Sequence, residues 1–144
     1  MSINLTTKWI GNTKQQGIIE GHNLDTIIAI PKELGGDGKG AEPKGMLVSS
    51  AAACYSMTLI AMLEGRKLEV ERLEMDSKAE NFDANGFKLV HYPHVILSQD
   101  ATEEQIESVK RTFLAADKAC AVGNMLKKAD AEITIEGKIT VASN

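Results

Sequence analysis

The chain has 144 residues, a length that suits one domain with a core of its own. Its 43% apolar and 25% charged residues are ordinary for a globular protein, and a net charge of −4 argues against a nucleic-acid binder, which usually needs a basic face. The opening MSINLTTKW lacks the basic and then apolar regions of a secretory leader, so the expected location is the cytoplasm. Thiols stay reduced there, and the two cysteines read as inert core residues or as a redox pair rather than a structural disulfide.

Residues 3–30 predict three strands: INLTTKWIG, GIIEG and DTIIAI carry β-branched and aromatic residues in partial alternation, with turn formers between them. PKELGGDGKGAEPKG, residues 31–45, is a glycine-rich loop without the spacing of a phosphate loop. Residues 44–63 predict a helix: Pro43 suits its first turn, Glu42 complements its positive end, and Gly65 is the expected C-cap. The run from Gly45 to Leu63 is uncharged and long enough to span a bilayer, but serines, a threonine and alanines dilute it. The reading is a helix buried within protein, with no membrane involved. LEVERLEMDSKAENF predicts a long strand with a bulge or two short ones, and Asn85-Gly86 signals a hairpin into FKLVHYPHVILSQ. Pro93 puts that second arm at an edge or a bulge. Residues 100–122 predict a helix with a Thr102/Gln105 capping box and an Ile106, Val109, Phe113 face; a second short helix holds Cys120, and AEITIEGKITVA is a last strand. The class is α+β in a single domain, residues 1–144. A central helix with no polar face needs cover on several sides, so a homodimer is expected.

Cys54 lies in the uncharged stretch SSAAACYSMTLIAML. It is either a small apolar core residue or a nucleophilic thiolate. Its own helix cannot activate it, because Cys54 sits about ten residues, roughly 15 Å, from the helix start and the dipole effect fades within one turn. Activation must come from elsewhere in the chain. Cys120, in AADKACAVGNML with Lys118 nearby, has the same two readings, and spacing alone does not bring the two together. His91 and His94 are three apart in a strand and face opposite ways, so no metal site is expected. His22 reads as a surface residue, Glu103 and Glu104 as a solvated helix start, and Trp9 and Tyr55 as core or interface. No serine-hydrolase elbow is present and no cofactor is expected.

Residues 31–59, PKELGGDGKGAEPKGMLVSSAAACYSMTL, resemble the OsmC/Ohr family of thiol peroxidases: a glycine-rich loop, a proline at the helix start (Glu42-Pro43-Lys44), then an alanine-rich helix with Cys54 followed by the aromatic Tyr55. ADKACAVGNML, residues 116–126, resembles the family's second cysteine segment, and the element order matches over nearly the whole chain. The resemblance implies an OsmC-like fold, with antiparallel sheets around a long central helix in an intertwined homodimer. It also implies a peroxidatic Cys54 that becomes a sulfenic acid and a resolving Cys120 that closes a disulfide, which a dithiol reductant of lipoyl or other type reopens. The apolar surroundings of Cys54 then imply organic hydroperoxides as substrates in preference to hydrogen peroxide. The alternative is a member with weak or no peroxidase activity that binds small apolar or electrophilic molecules. The chain departs from the family at its thiolate-stabilising arginine, since no arginine precedes Arg66, and at the glutamate that holds it, where Lys44 stands. Glu42, Lys44 and Lys14, or Lys8, are the residues expected to tune the thiolate in their place.

Overall fold

The computed structural model describes residues 1–143. They form two compact units, Met1–Leu47 and the chain from Val48 onward. The first is a meander of β1 (Leu5–Trp9), β2 (Gln16–Gly21) and β3 (Leu24–Ala29), antiparallel in that order. Gly17 lies opposite Trp9, and a Cβ there would fall 2.4 Å from the indole, so the glycine makes room for the ring. A single 3-10 turn, Lys32–Leu34, follows, closed by Gly35 in the left-handed conformation at φ 94°.

Helix α1 runs Pro43–Gly65, starting in the first unit and continuing through the second. Proline stands at its first position, where a missing N–H costs nothing. Its end differs from the expectation of a Gly65 cap. Gly65 is still helical, and Lys67 takes the left-handed turn at φ 61°. The Leu68 N–H bonds the Leu63 carbonyl at 3.1 Å and the Lys67 N–H bonds that of Glu64 at 2.9 Å, a Schellman closure with Leu63 and Leu68 both in the core. Ala51, Tyr55, Leu59 and Leu63, four apart, form the buried stripe of α1. Its other faces are also apolar but open: Met57 is 71% exposed, and Leu47 and Ile60 are exposed too. By length and composition α1 could cross a membrane; its stripe instead packs on strands and helices of the second unit.

That unit is built on the hairpin of β4 (Val70–Asp83) and β5 (Gly86–Leu97). β4 is one long strand whose register shifts at both ends, between Val70 and Arg72 and between Glu80 and Asp83. Helices α2 (Glu103–Ala119) and α3 (Ala121–Lys128) then return the chain to β6 (Glu132–Ile135) and β7 (Lys138–Val141), which both lie parallel to β5. The second sheet is therefore mixed, where antiparallel strands were expected, and the expected last strand is two. Pro93 is in a central strand, not at an edge. β6 pairs with residues up to His91 and β7 from His94 onward, so Pro93 falls in the gap between them. The His91 carbonyl bonds Glu136 on that side, and Pro93, two residues on, presents its missing donor to the same gap. The Thr102/Gln105 capping box is formed, with bonds of 2.8 and 3.1 Å. Val109, Phe113 and Ala116 of α2 meet the α1 stripe, Val95 and Leu97 in the core.

Candidate thiol site

Cys54 is next to the buried stripe of α1 and is half-buried; Cys120 is fully buried. Cys120 stands between two helices. Its extended backbone, φ −71° and ψ 109°, ends α2 and makes it the N-cap of α3, where Sγ accepts the Gly123 N–H at 3.4 Å. The preceding N–H, that of Val122, donates to the Cys54 Sγ at 3.5 Å. Consecutive amides of the first turn of α3 thus reach one sulfur each. Gly123 is buried against this arrangement, and a Cβ there would sit 3.2 Å from the Cys120 sulfur.

The two thiols are tuned in opposite directions. Burial is the largest single influence on Cys54 and pushes it up, but the polar groups around it, the Val122 N–H first and then Cys120, the Ala121 N–H and Thr58, together outweigh it, and the thiol lies below its ordinary value. Thr58 also ties itself one turn back, donating to the Cys54 carbonyl at 2.8 Å. Burial pushes Cys120 up to about 11, with Cys54 and the Asp117 carboxylate adding to the rise and the Gly123 N–H opposing it. Asp117 pairs with Lys127 at 2.9 Å. Beside the thiols, the buried Tyr55 hydroxyl donates to the Phe113 carbonyl at 2.9 Å, and its ring stacks on His91 with centroids 5.1 Å apart. His91, bonded to Ser77 at 2.7 Å, is held below its ordinary value by burial.

The expected tuning residues lie in the other unit. Glu42 caps α1: its carboxylate accepts the Lys44 N–H at 3.1 Å and the Gly45 N–H. Lys8 pairs with Glu20 at 3.6 Å. Lys14 and Lys44 are exposed. Every group that shifts Cys54 belongs to the second unit. The arginines are engaged or open: Arg66 donates to the Thr112 hydroxyl, Arg72 pairs with Glu74 at 3.0 Å, and Arg111 is exposed. Sequence reasoning brought out both cysteines but missed the Ala121 and Val122 amides, Thr58 and Asp117. The signal for the amides was a helix starting directly after Cys120. His94 bonds Thr140 at 3.0 Å on the far side of β5 from His91, and His22 is exposed in a turn. The first unit holds a separate apolar cavity of about 500 Å³, lined by Trp9, Ile28, Pro31, Leu34 and Met46 among others.

The element order, with one cysteine on a long helix and another at the cap of a short one, is that of an α+β protein. Within that class, the chain belongs to the OsmC-like protein family, whose pattern residues 36–136 match. It is 35% identical over 139 residues to the uncharacterized protein YmaD of Bacillus subtilis, covering 94% of this chain and 92% of that one. Among solved structures it is similar to an OsmC-like protein of unknown function from Vibrio cholerae, with TM-score 0.76, 13% identity and 95% and 99% of the two chains covered. It is also similar to an organic hydroperoxide resistance protein from Elizabethkingia anophelis, with TM-score 0.63, 22% identity and 100% and 97% covered. At these identities the structures establish the fold.

Proposed function

We propose that this chain is a cysteine-dependent peroxidase that reduces organic hydroperoxides. The observation that carries the reading is the meeting of Cys54 and Cys120 on the first turn of α3, with the half-buried thiol tuned towards thiolate. The Cys54 thiolate attacks the O–O bond and becomes a sulfenic acid as an alcohol leaves. Cys120 condenses with it, releasing the sulfenic oxygen as water or hydroxide and closing a disulfide, and an external dithiol reopens the pair. The setting is a reducing compartment such as the cytoplasm. The working form is a homodimer, a reading supported by the open apolar faces of α1 and by a groove between Ala53, Met57 and Ile60 of α1 and Leu73 and Met75 of β4.

Intact mass before and after one equivalent of cumene hydroperoxide tests the reaction. The expected result is a loss of about 2 Da with Cys54 linked to Cys120, abolished in Cys54→Ser. Unchanged peroxide consumption in Cys54→Ser overturns the reading. A second reading, binding of small apolar molecules, is favoured by the cavity beside Trp9. It predicts that an apolar probe changes the fluorescence of Trp9, the one tryptophan of the chain.

A further inference from the structure

Among the described residues, the groups that favour the Cys54 thiolate include no cationic side chain: they are two backbone amides, the Thr58 side chain and a second thiol. The second thiol is the one that can move a proton. The Cys120 sulfur accepts the Gly123 N–H through a lone pair, which leaves its own S–H to point elsewhere, and the sulfur beside it is that of Cys54 on the neighbouring amide. We propose that Cys120 acts before it resolves: its S–H hydrogen-bonds the Cys54 sulfur, holds it as a thiolate, and gives its proton to the alkoxide that leaves when the peroxide bond breaks.

The second half of this inference rests on the peroxidase reading; the first does not. Cys120 is suited to both. Its burial and the nearby Asp117 keep it protonated when Cys54 is ionised, so the pair carries one negative charge rather than two in contact. The step balances. Cys54–S⁻ takes the terminal oxygen with its hydrogen as Cys54–SOH, and the O–O electron pair leaves on the alkoxide. The alkoxide takes the Cys120 proton and departs as the alcohol. The Cys120–S⁻ so formed is the nucleophile that attacks the sulfenic sulfur and expels hydroxide. One proton transfer therefore discharges the leaving group and arms the resolving thiol.

The test follows Cys54 alone, by mass spectrometry of its peptide, in reduced wild type, Cys120→Ser and Cys120→Ala at pH 7. Iodoacetamide and cumene hydroperoxide are the two electrophiles. Iodide leaves without a proton, whereas alkoxide needs one. Serine keeps both the cap on α3 and a hydroxyl donor. Alkylation is expected within about twofold of wild type in Cys120→Ser and about tenfold slower in Cys120→Ala, the loss of one hydrogen bond to a charged group. Oxidation by the hydroperoxide is expected to fall further than alkylation in Cys120→Ala. Wild-type alkylation in Cys120→Ala overturns the hydrogen-bond role, and equal losses with both electrophiles overturn the proton role. If wild type alkylates as expected but ignores the hydroperoxide, the peroxidase reading fails and the proton role with it, while the thiol pair stands. Infrared spectra of the folded wild type need no variant: one shifted S–H band is expected to survive ionisation of Cys54, and an unshifted band overturns the contact.

Discussion

The first turn of α3 can be edited one amide at a time, and Ala121→Pro is the edit that the backbone tolerates. Ala121 is the first residue of α3 and is exposed, so a proline ring has room and its fixed φ suits the position. The residue before a proline must be extended, and Cys120 already is, at φ −71° and ψ 109°. The substitution deletes the Ala121 N–H, one of the donors that lower Cys54, and leaves the Val122 and Gly123 donors in place. A hydrogen bond to a charged group is worth about 1.5–3 kcal/mol, but Cys54 is only half-buried, and about 1 kcal/mol is the appropriate figure. That is about a fivefold fall in the thiolate fraction below the thiol pKa. The assay is the iodoacetamide rate at Cys54 from pH 5 to 10. The expected result is an inflection moved to higher pH with the urea midpoint unchanged or raised. An inflection at the wild-type position would refute the claim that α3 amides, rather than a distant charge, hold the thiolate.

Leu59→Ala empties a fully buried position on the α1 stripe and is expected to cost about 2–5 kcal/mol in urea unfolding. Met57→Glu, two residues away but exposed, is expected to leave the folded chain nearly as stable, within about 0.5 kcal/mol, and to convert the proposed dimer to monomer in sedimentation. Thiol labelling has a defined order in pH. The thiolate is the nucleophile, so the lowered Cys54 labels first, below the ordinary thiol range, and Cys120 labels only as pH approaches about 11. His91, held neutral by burial, adds an acid-side slope: the unfolded chain binds a proton below about pH 6.5 that the folded one resists, so stability falls as pH drops through that value, and His91→Gln is expected to flatten the slope.

Local signals carried most of the elements. The Thr102/Gln105 box, the proline at the start of α1 and the hairpin near Asn85 are all short-range chemistry, and all appear where the sequence places them. What failed was long-range. Pro93 argued for an edge or a bulge because sequence shows the missing donor but not that two short parallel strands would leave a gap at that register. The mixed sheet escaped for the same reason, since AEITIEGKITVA has no mark of strand direction. Lys67 in the left-handed turn, in place of Gly65, is a tertiary override: Leu63 and Leu68 both reach the core only if the helix runs that far.

At the site, side-chain reasoning looked for a replacement cation and could not have looked for a backbone amide. The break between α2 and α3 is what frees those amides. Had the helix run on through Cys120, the Val122 and Gly123 N–H groups would have bonded the Lys118 and Ala119 carbonyls, four residues back, and neither sulfur would have a backbone donor. The extended backbone at Cys120 redirects both amides to sulfur. The carbonyl of Lys118 is not left bare by this: the Asn124 side chain donates to it at 2.9 Å, from one turn into α3. A helix break inside a covered core ordinarily costs its unpaired groups. Here one side is satisfied by an asparagine and the other by two thiols, so the irregularity that propensity would not forecast is a feature that holds Cys54 below its ordinary value.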